Sequence, residues 1–547
     1  MNLLSPYPEN YVRRNKQAGY WTDETFGEML RKHAAERPNE IALISSNKRL
    51  TWSVLLTEME RTAGGLKKIG IKEGDTVSVQ LANSTELVVL ILAIWEIGAI
   101  YQPLNPLYRY AELSTIVGAL RPHAIVCRNE TKGFNYLELI EEVTKDLNLN
   151  AHKICVDYSQ PGWISTATFD KADFTPTKPD PFRTALLGTT SGTTGNPKIY
   201  IHIQATQIFE AKALCEGLQV NNKDVTLAAA PLTHRGALMV GLMTSLISGS
   251  ALAVGDASDT RAIAQLIAEE HVTMFMGIPT IVSDLLLLHV ATSFDASSLR
   301  VVVTSGAPVT PELIQRFNAA WPHAIPASGY GLTETGWCTF LRLDDPPSKI
   351  FTSGRLAPAT EIEIRSSKGA PLPAGEVGEI HIRGPMTCAG YFKNSEATKN
   401  SIDENEWFAS GDLGILDDEG FLQPVGRSKH MIIRGGLNIY AEEIERLIQE
   451  HPAVAEVVVI GIPHHRLGEQ ACACVVLKPD QIFEIRDVQK FLEEKKTAKY
   501  TWPERVEVFG ELPRNPIGKF DRIQITKSLM ERILRSETAQ RPLAGLC

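Results

Sequence analysis

Residues 190–198 read Thr-Ser-Gly-Thr-Thr-Gly-Asn-Pro-Lys and follow the short apolar run Ala185-Leu186-Leu187. The two glycines allow the backbone to turn tightly and to bring N–H groups close to an anion. The hydroxyl side chains add donors, and Lys198 adds a mobile positive charge. The spacing does not fit the Walker pattern, because no Gly-Lys-Ser/Thr follows at the required distance. The stretch therefore indicates a phosphate-binding loop, with an ordinary polar surface turn as the alternative.

Four further segments follow downstream in a fixed order. They are Tyr330-Gly331-Leu332-Thr333-Glu334, Ser410-Gly411-Asp412, Gly426-Arg427-Ser428-Lys429 running into Arg434-Gly435-Gly436-Leu437-Asn438-Ile439-Tyr440, and Pro513-Arg514-Asn515-Pro516-Ile517-Gly518-Lys519. Together with residues 190–198, these segments closely resemble the motifs of the adenylate-forming superfamily. That family includes acyl- and aryl-CoA ligases, stand-alone aryl-acid adenylating enzymes, peptide-synthetase adenylation domains and firefly luciferase.

The resemblance implies ATP-dependent activation of a carboxylic acid. The carboxylate attacks the α-phosphate of ATP, pyrophosphate leaves, and the acyl-adenylate then passes its acyl group to a thiol. Because two anions must meet, the site needs cations and fixed dipoles aimed at the phosphates. Glu334 would hold Mg²⁺, Thr333 would donate to the α-phosphate, and Lys519 would bridge that phosphate and the carboxylate. The β- and γ-phosphates would be held by Thr190, Ser191, Gly192, Thr193, Thr194, Gly195 and Lys198.

The same resemblance assigns the remaining parts of the site. Asp412 would accept from the ribose hydroxyls, Arg427 would reach the sugar or its phosphate, and His234 would line the acyl pocket and gate a thiol tunnel. The base would lie against Gly306, Ala307, Pro308, Tyr330 and Gly331, and the thiol would pass Gly435 and Gly436. Each residue type also has a structural alternative: a solvated Glu or Lys, a turn-capping Asp, or a histidine without a catalytic role.

Length, charge and cysteine content restrict the class of protein. A chain of 547 residues requires at least two domains, and its net charge of −9 argues against a nucleic acid or an anionic membrane as the main partner. Residues 1–8 lack the features of a signal peptide, and the apolar run from Leu87 to Tyr101 indicates a buried helix. The eight cysteines are scattered, and Cys472 and Cys474 indicate buried thiols rather than a metal or redox site. We therefore expect a cytoplasmic protein without membrane insertion; the oligomeric state stays open.

Strand-like and helix-like segments alternate as far as about residue 400, which indicates an α/β fold with covered, largely parallel sheets. The strand candidates are Ile41–Ser45, Val77–Leu81, Ala124–Cys127, Val225–Ala230, Thr273–Met276 and Val301–Thr304. The helix candidates are Phe26–Glu36, Glu86–Ile97, Thr260–Glu270 and Pro311–Ala320. A more β-like section covers residues 361–422, where polar and apolar residues alternate.

A domain boundary is predicted near residues 426–429. Residues 1–428 would bind AMP and the acid, and residues 429–547 would form a small mobile α+β domain that carries Lys519. The smaller domain is expected to contain a glycine-rich turn, helix 441–449, strands 454–460 and 471–477, helix 485–495 and a basic tail. In the resembling family the small domain swings about a hinge, whose position is occupied here by Lys429.

Several residues bear on the identity of the acid. Residues 20–26 are similar to the start of dihydroxybenzoate-adenylating enzymes and of some alicyclic and medium-chain acid CoA ligases. Arg235 stands where the aryl-acid enzymes typically have Asn, and residues 231–246 contain no Asp or Glu to hold the ammonium group of an amino acid. Gly331 is expected to leave room for an acid larger than acetate, which favours a medium, branched, cyclic or aryl acid. Arg235 would pair with the second carboxylate of a diacid or, as the favoured alternative, point to solvent.

The acceptor is predicted from the C-terminal motifs. Residues 436–440 and 512–516 resemble those of CoA ligases more than those of carrier-loading enzymes, so CoA is the expected acceptor. The alternative is an adenylating enzyme that loads the phosphopantetheine of a carrier protein. A non-catalytic adenylate-binding protein is disfavoured, because Lys519, Glu334 and Asp412 are all present.

Overall fold

The computed structural model describes residues 5–45, 48–170, 174–176, 178–190, 198–256, 259–305, 309, 311–366, 368–427, 431–514 and 520–539. The chain forms two compact units: the first comprises most of residues 1–428, and the second comprises residues 107–112 together with the part of the chain from residue 429 onward. No helix in these ranges is long and apolar enough to cross a membrane.

The first unit contains twenty-two strands in its described part. They are β1 (Ile41–Ser45), β2 (Lys48–Thr51), β3 (Thr76–Gln80), β4 (Ile100–Pro103), β5 (Ala124–Cys127), β6 (Glu130–Thr131), β7 (Phe134–Asn135), β8 (His152–Cys155), β9 (Ile164–Ser165), β10 (Thr184–Thr190), β11 (Lys198–Ile203), β12 (Val225–Ala228), β13 (Ala251–Val254), β14 (Met274–Gly277), β15 (Val301–Thr304), β16 (Ile325–Leu332), β17 (Gly336–Phe340), β18 (Arg355–Leu356), β19 (Glu361–Arg365), β20 (Gly378–Arg383), β21 (Phe408–Leu416) and β22 (Leu422–Arg427).

Helices alternate with these strands along the chain. They are α1 (Glu9–Gln17), α2 (Phe26–Glu36), α3 (Trp52–Lys68), α4 (Thr85–Glu96), α5 (Tyr110–Leu120), α6 (Tyr136–Asp146), α7 (Gln204–Gly217), α8 (Arg235–Leu238), α9 (Thr244–Ser248), α10 (Thr260–Glu269), α11 (Pro279–Thr292), α12 (Pro311–Ala320) and α13 (Ser395–Ser401). Between α8 and α9, residues Met239–Met243 form a π-helical turn, so residues 235–248 are one continuous helical segment. Such π turns interrupt helices mainly at functional sites.

The strands assemble into two large sheets and a smaller one. The nine-stranded sheet has the order β18-β17-β16-β15-β14-β12-β13-β1-β2, and the seven-stranded sheet has the order β11-β10-β4-β3-β5-β8-β9. Both are parallel in the centre and antiparallel only towards their edges. Strands β19 to β22 form a four-stranded antiparallel sheet. The architecture is the α/β fold with a β-rich section that the sequence predicts.

Helix α4 lies in the centre of the first unit. All of its residues except Glu86 are buried, and it contacts both β4 of the seven-stranded sheet and β1 of the nine-stranded sheet. The apolar run from Leu87 to Tyr101 therefore comprises this helix and the start of β4, and the prediction of a single helix was wrong at its C-terminal end. Glu96, which is buried at the end of α4, pairs with Arg31 of α2. A helix that is buried between two sheets is apolar on all sides, which accounts for the hydrophobicity of this run.

The second unit is a smaller α+β structure. It contains β23 (Met431–Arg434), β24 (Leu437–Tyr440), α14 (Ala441–Gln449), β25 (Val454–His464), β26 (Gly468–Leu477), α15 (Ile485–Glu494), β27 (Arg505–Val508) and α16 (Arg522–Ala539). The strands form one sheet of order β24-β23-β26-β25, and β27 pairs with β26. The predicted basic tail was wrong for residues 522–539, because Ile525, Leu529 and Ile533 recur at helical spacing and pack against the apolar side of β25 and β26.

Candidate active site

The turn between β16 and β17 presents Thr333 and Glu334. Glu334 is 9% exposed, and its Oε1 accepts a hydrogen bond of 2.8 Å from the Tyr391 hydroxyl. The Thr333 hydroxyl donates to Oε2 at 2.8 Å, and the Cys388 amide donates to the Glu334 carbonyl at 2.6 Å. Within the described ranges this carboxylate makes no ion pair. Hydroxyl groups therefore orient the Glu334 carboxylate, and no cation among the described residues offsets its charge.

A histidine that the sequence does not single out also fixes the Thr333–Glu334 turn. His202, fully buried on β11, donates from Nε2 to the Thr333 carbonyl at 2.9 Å. Burial and the nearby charge of Arg235 keep the pKa of His202 well below its ordinary value, so the ring is a neutral donor. The sequence carried no signal for this contact, because the two residues are 131 positions apart.

Tyr391 links the turn to the end of the predicted phosphate loop. Its hydroxyl binds Glu334, and the Nζ atom of Lys198 lies 4.8 Å from the centre of its ring. Burial, and then the Glu334 charge, raise the pKa of Tyr391, which therefore stays a hydroxyl donor. Lys198 is paired across the β10–β11 ladder with Thr190. The predicted phosphate ligands Ser191, Gly192, Thr193, Thr194 and Gly195 lie outside the described residues.

The predicted ribose ligand is held by the same hairpin. The Tyr330 hydroxyl donates to Oδ2 of Asp412 at 2.9 Å, and the Asp412 amide donates to the Ser410 hydroxyl at 3.0 Å. Asp412 is 5% exposed, and its Cα atom is paired across the β21–β22 ladder with that of Arg427. Burial, and then the Asp412 charge, raise the pKa of Tyr330 well above its ordinary value. The structure thus brings Tyr330, Thr333, Glu334 and Asp412 into one region, whereas Gly306, Ala307 and Pro308 lie outside the described residues.

A glycine is needed at position 331 because the two strands of the β16–β17 hairpin approach each other closely there. A Cβ atom at this position would lie 2.0 Å from the carbonyl oxygen of Gly336 in the adjacent strand. The two strands approach this closely where the register of the hairpin shifts between Tyr330 and Gly331. The glycine is therefore required by the β16–β17 backbone, and the expectation that it makes room for a larger acid stays a prediction.

His234 lies immediately before helix α8. Its backbone amide donates to the Pro231 carbonyl at 2.8 Å, and its side chain is accessible to solvent. Protein atoms nevertheless surround the ring, and their desolvating effect lowers the pKa of His234. An accessible ring among many protein atoms is typical of a residue that lines a concave surface. Asn83 holds this segment by accepting from the Leu232 amide at 2.7 Å and donating to the Ala230 carbonyl at 3.0 Å.

Arg235 is not solvated, and it already has a carboxylate partner. It is 3% exposed and pairs with Glu210 of α7, which is fully buried. Nη1 donates to Oε1 at 3.1 Å, and Nη2 donates to Oε2. Burial disfavours the charge of Arg235, but the Glu210 carboxylate offsets this effect, and the pKa of Arg235 lies above its ordinary value. The favoured prediction of a solvated Arg235 was wrong, because the sequence does not show that α7 carries a matching carboxylate.

Gly435 and Gly436 form the two-residue turn between β23 and β24. Their φ angles are 55° and 79°, both in the left-handed region that glycine tolerates. Two consecutive residues of positive φ make the tight turn that joins antiparallel strands. This backbone requirement accounts for both glycines within the second unit, and their predicted contact with a thiol stays a prediction. Lys429 and Lys519 lie outside the described residues.

The residues of the turn fit a magnesium ion bound mainly by phosphate oxygens. In the described part of the chain, no three His, Cys, Asp or Glu side chains form a group that would hold a metal by themselves. Mg²⁺ is usually held by one or two carboxylates together with substrate phosphates and water. Glu334, a buried carboxylate with no cationic partner among the described residues, meets this requirement.

Comparisons with known proteins agree with the geometry. The family model described as "AMP-binding enzyme" matches residues 30–392, and that described as "AMP-binding enzyme C-terminal domain" matches residues 443–519. The medium-chain fatty-acid–CoA ligase of Escherichia coli K12 is 30% identical over 97% of this chain and 95% of its own length. The salicyl-AMP ligase / salicyl-S-ArCP synthetase of Mycobacterium tuberculosis H37Rv is 30% identical over 96% and 94%.

Among solved structures, the amide bond synthetase McbA from Marinactinospora thermotolerans matches with a TM-score of 0.82. It is 25% identical, and the match covers 92% of this chain and 99% of that one. These matches confirm the predicted fold class and the superfamily that the five sequence motifs indicate. The chain belongs to the AMP-binding enzymes, the adenylate-forming superfamily.

Proposed function

We propose that this enzyme activates a carboxylic acid with ATP, releases pyrophosphate, and transfers the acyl group from the adenylate to the thiol of CoA. The observation that carries the proposal is the Glu334 carboxylate. It is buried and oriented by the hydroxyls of Tyr391 and Thr333, yet no cation neutralises it in the described part of the chain. Leaving a buried carboxylate unpaired is costly, which favours a role in binding a positively charged group.

The first half-reaction joins two anions. Residues 190–198 would hold the β- and γ-phosphates, and Glu334 would hold Mg²⁺, which spreads the negative charge of the phosphates. Thr333 would direct its hydroxyl to the α-phosphate, and Lys519 would bridge this phosphate and the attacking carboxylate. The bond between the α- and β-phosphates then breaks as the acyl–phosphate bond forms, and pyrophosphate leaves. Each cation thus lies where negative charge accumulates during the displacement.

The nucleotide would be oriented by a second carboxylate. Asp412 accepts a hydrogen bond from the Tyr330 hydroxyl, and its own amide donates to the Ser410 hydroxyl; this oriented carboxylate is assigned to the ribose hydroxyls. Arg427, its partner across the β21–β22 ladder, is assigned to the ribose or the α-phosphate. Tyr330 and residues 306–308 are assigned to the adenine ring.

The second half-reaction requires a thiol to reach the adenylate. We propose that the domain 429–547 rotates about Lys429 after adenylation, which withdraws Lys519 and admits the thiol. Gly435 and Gly436 would then line the path of the thiol, and His234 would gate it from the side of the acid. The accessible position of the His234 ring supports this role.

CoA is proposed as the acceptor, and the phosphopantetheine of a carrier protein is the alternative. Both kinds of ligase occur among the relatives at similar identity, since one is named a CoA ligase and another an S-ArCP synthetase. Residues 436–440 and 512–516 favour CoA. The seven described cysteines are all buried free thiols, as in proteins of a reducing compartment, which supports a cytoplasmic location.

The test is pyrophosphate release from ATP in the presence of single acids. A panel of medium-chain, branched, alicyclic and aryl acids should include members that stimulate release, and no stimulation by any of them would contradict the proposed function. The active acid is then incubated with CoA or with a phosphopantetheinylated carrier protein. Thioester formation with CoA alone supports the proposed acceptor, and acylation of the carrier alone supports the alternative.

A further inference from the structure

The ion pair between Glu210 and Arg235 is fixed from several directions. The side chain of Arg235 is 2% exposed and that of Glu210 is 0% exposed. Oε1 of Glu210 also accepts the amide hydrogen of Trp337 in β17 at 2.8 Å. A Cβ atom at Gly336 would lie only 2.7–2.8 Å from the carboxylate, so the glycine permits this close approach. Glu210 therefore ties α7 and the first turn of α8 to the strand that follows the Thr333–Glu334 turn.

Pairing with Glu210 neutralises the positive charge of Arg235, which follows His234 of the predicted acid pocket in the sequence. Residues 231–246 contain two basic side chains, His234 and Arg235. Desolvation by the surrounding protein atoms lowers the pKa of His234, which favours its neutral form. Arg235 keeps its charge, but both of its terminal nitrogens donate to Glu210. The one cation that the segment provides is therefore already paired with a carboxylate.

We propose that Glu210 is a specificity-determining residue, which holds the Arg235 guanidinium so that the enzyme selects acids with an uncharged distal part. This inference rests on the proposed function. A diacid would have to desolvate its second carboxylate near an arginine that already has a partner, and near the carboxylate of that partner. A monoacid of the same length carries no such cost. Glu210 is a positioning residue, which acts through Arg235 and touches neither substrate nor nucleotide.

The test compares octanoic and octanedioic acid, which differ in the distal carboxylate. The wild-type protein should favour the monoacid in kcat/KM by about tenfold or more. Glu210→Gln keeps the size of the side chain and an oxygen for the Trp337 amide, but it leaves Arg235 without a counter-charge. The distal carboxylate of the diacid then becomes the available partner, and the monoacid-to-diacid ratio should fall by about tenfold. Glu210→Gln/Arg235→Met removes both charges and should restore the ratio of the wild-type protein.

Each outcome separates the inference from alternatives. A wild-type preference for the diacid overturns it, and so does an equal loss for both acids in Glu210→Gln, which would give the pair only a structural role. If Glu210→Gln does not fold, the double variant decides, because a ratio that moves towards the diacid without either charge overturns the inference. Pyrophosphate release with neither these nor any other acid would instead contradict the proposed function.

Discussion

Two buried carboxylates lie beside the same hairpin, and their partners differ. Glu210 is neutralised by the guanidinium of Arg235, whereas Glu334 receives hydrogen bonds from the hydroxyls of Tyr391 and Thr333. In the ranges that the structure describes, Glu334 has no cationic partner. A hydroxyl orients a carboxylate and leaves its charge in place, but a guanidinium cancels that charge. The comparison supports a structural role for Glu210 and is consistent with the cation-binding role proposed for Glu334.

The same contrast appears in the histidines around the hairpin. His202 is fully buried and fixed to the Thr333 carbonyl, whereas the ring of His234 remains accessible. Both have a lowered pKa, and desolvation by surrounding protein atoms is the first cause for each. A shifted pKa alone therefore does not separate a structural residue from a functional one. Accessibility and the remaining partners make that distinction.

The largest expected effect is on stability at the structural carboxylate. Glu210→Gln leaves the buried charge of Arg235 unpaired, and removal of one partner of a buried pair costs about 3–5 kcal/mol of unfolding free energy. Denaturant unfolding of the first unit, followed by tryptophan fluorescence, measures this loss. Glu210→Gln/Arg235→Met is the matched control and should recover most of the stability. A single variant as stable as the wild-type protein would show that the pair does not hold the fold.

The next largest effect is on chemistry, at the lysine assigned to the transition state. Lys519→Ala should slow acid-dependent pyrophosphate release by about 10²–10³-fold, because one charge contact to the transition state is lost. Thioester formation from preformed adenylate should remain close to the wild-type rate. Lys527→Ala, on the exposed side of α16, is the control and should change neither rate. Equal loss in both half-reactions would contradict the role of Lys519.

A smaller effect is expected at the ribose. Asp412→Ala removes an acceptor of charge-assisted hydrogen bonds. The free energy of ATP binding should therefore become less favourable by about 1.5–3 kcal/mol. Isothermal titration calorimetry with ATP measures the change. Asp417→Ala is a matched control, since Asp417 caps the turn between β21 and β22 and accepts from the Phe421 amide. Unchanged ATP affinity in folded Asp412→Ala would remove this residue from the nucleotide site.

The smallest effect is a pH dependence of stability. The pKa of His202 is lowered in the folded protein, so below about pH 6.5 the unfolded chain binds a proton that the folded protein does not. Stability therefore falls as the pH falls, at up to about 1.4 kcal/mol per pH unit for one such group. His202→Gln retains a donor for the Thr333 carbonyl and should show a shallower slope between pH 7.5 and 5.5 in denaturant unfolding. An identical slope would show that His202 is protonated in the folded protein.

The sequence predicts the α/β fold because each element carries its own local signal. Ile41–Ser45 and Val301–Thr304 are apolar runs of strand length, and Thr25 and Glu28 form a capping box at the start of α2. Helix α16 was missed because its apolar residues are separated by charged ones and gain stability from packing on β25 and β26. The apolar run from Leu87 was read as one helix because hydrophobicity alone does not separate a buried helix from the strand that follows it.

Within the site, motif residues could be proposed from the sequence, but their supports could not. Tyr391 lies 57 residues from Glu334, and Glu210 lies 25 residues before Arg235. Such partners meet only when the sheets assemble, so no spacing in the chain marks them. The close approach of Gly331 to Gly336 is likewise a property of hairpin register. The sequence therefore identified candidate reacting groups, and the structure supplied the residues that orient them.

Isotope exchange between pyrophosphate and ATP measures whether Glu334 acts as a charged ligand in an acid-activating site. Exchange should depend on an added carboxylic acid and on Mg²⁺ in the wild-type protein. Glu334→Gln should lower it by about 10²–10³-fold with little change in the midpoint of thermal unfolding. Glu269→Gln, an exposed carboxylate at the end of α10, is the control and should retain full exchange. Exchange that needs no added acid would contradict the proposed acid activation. Exchange that survives unchanged in Glu334→Gln would contradict the proposed role of Glu334.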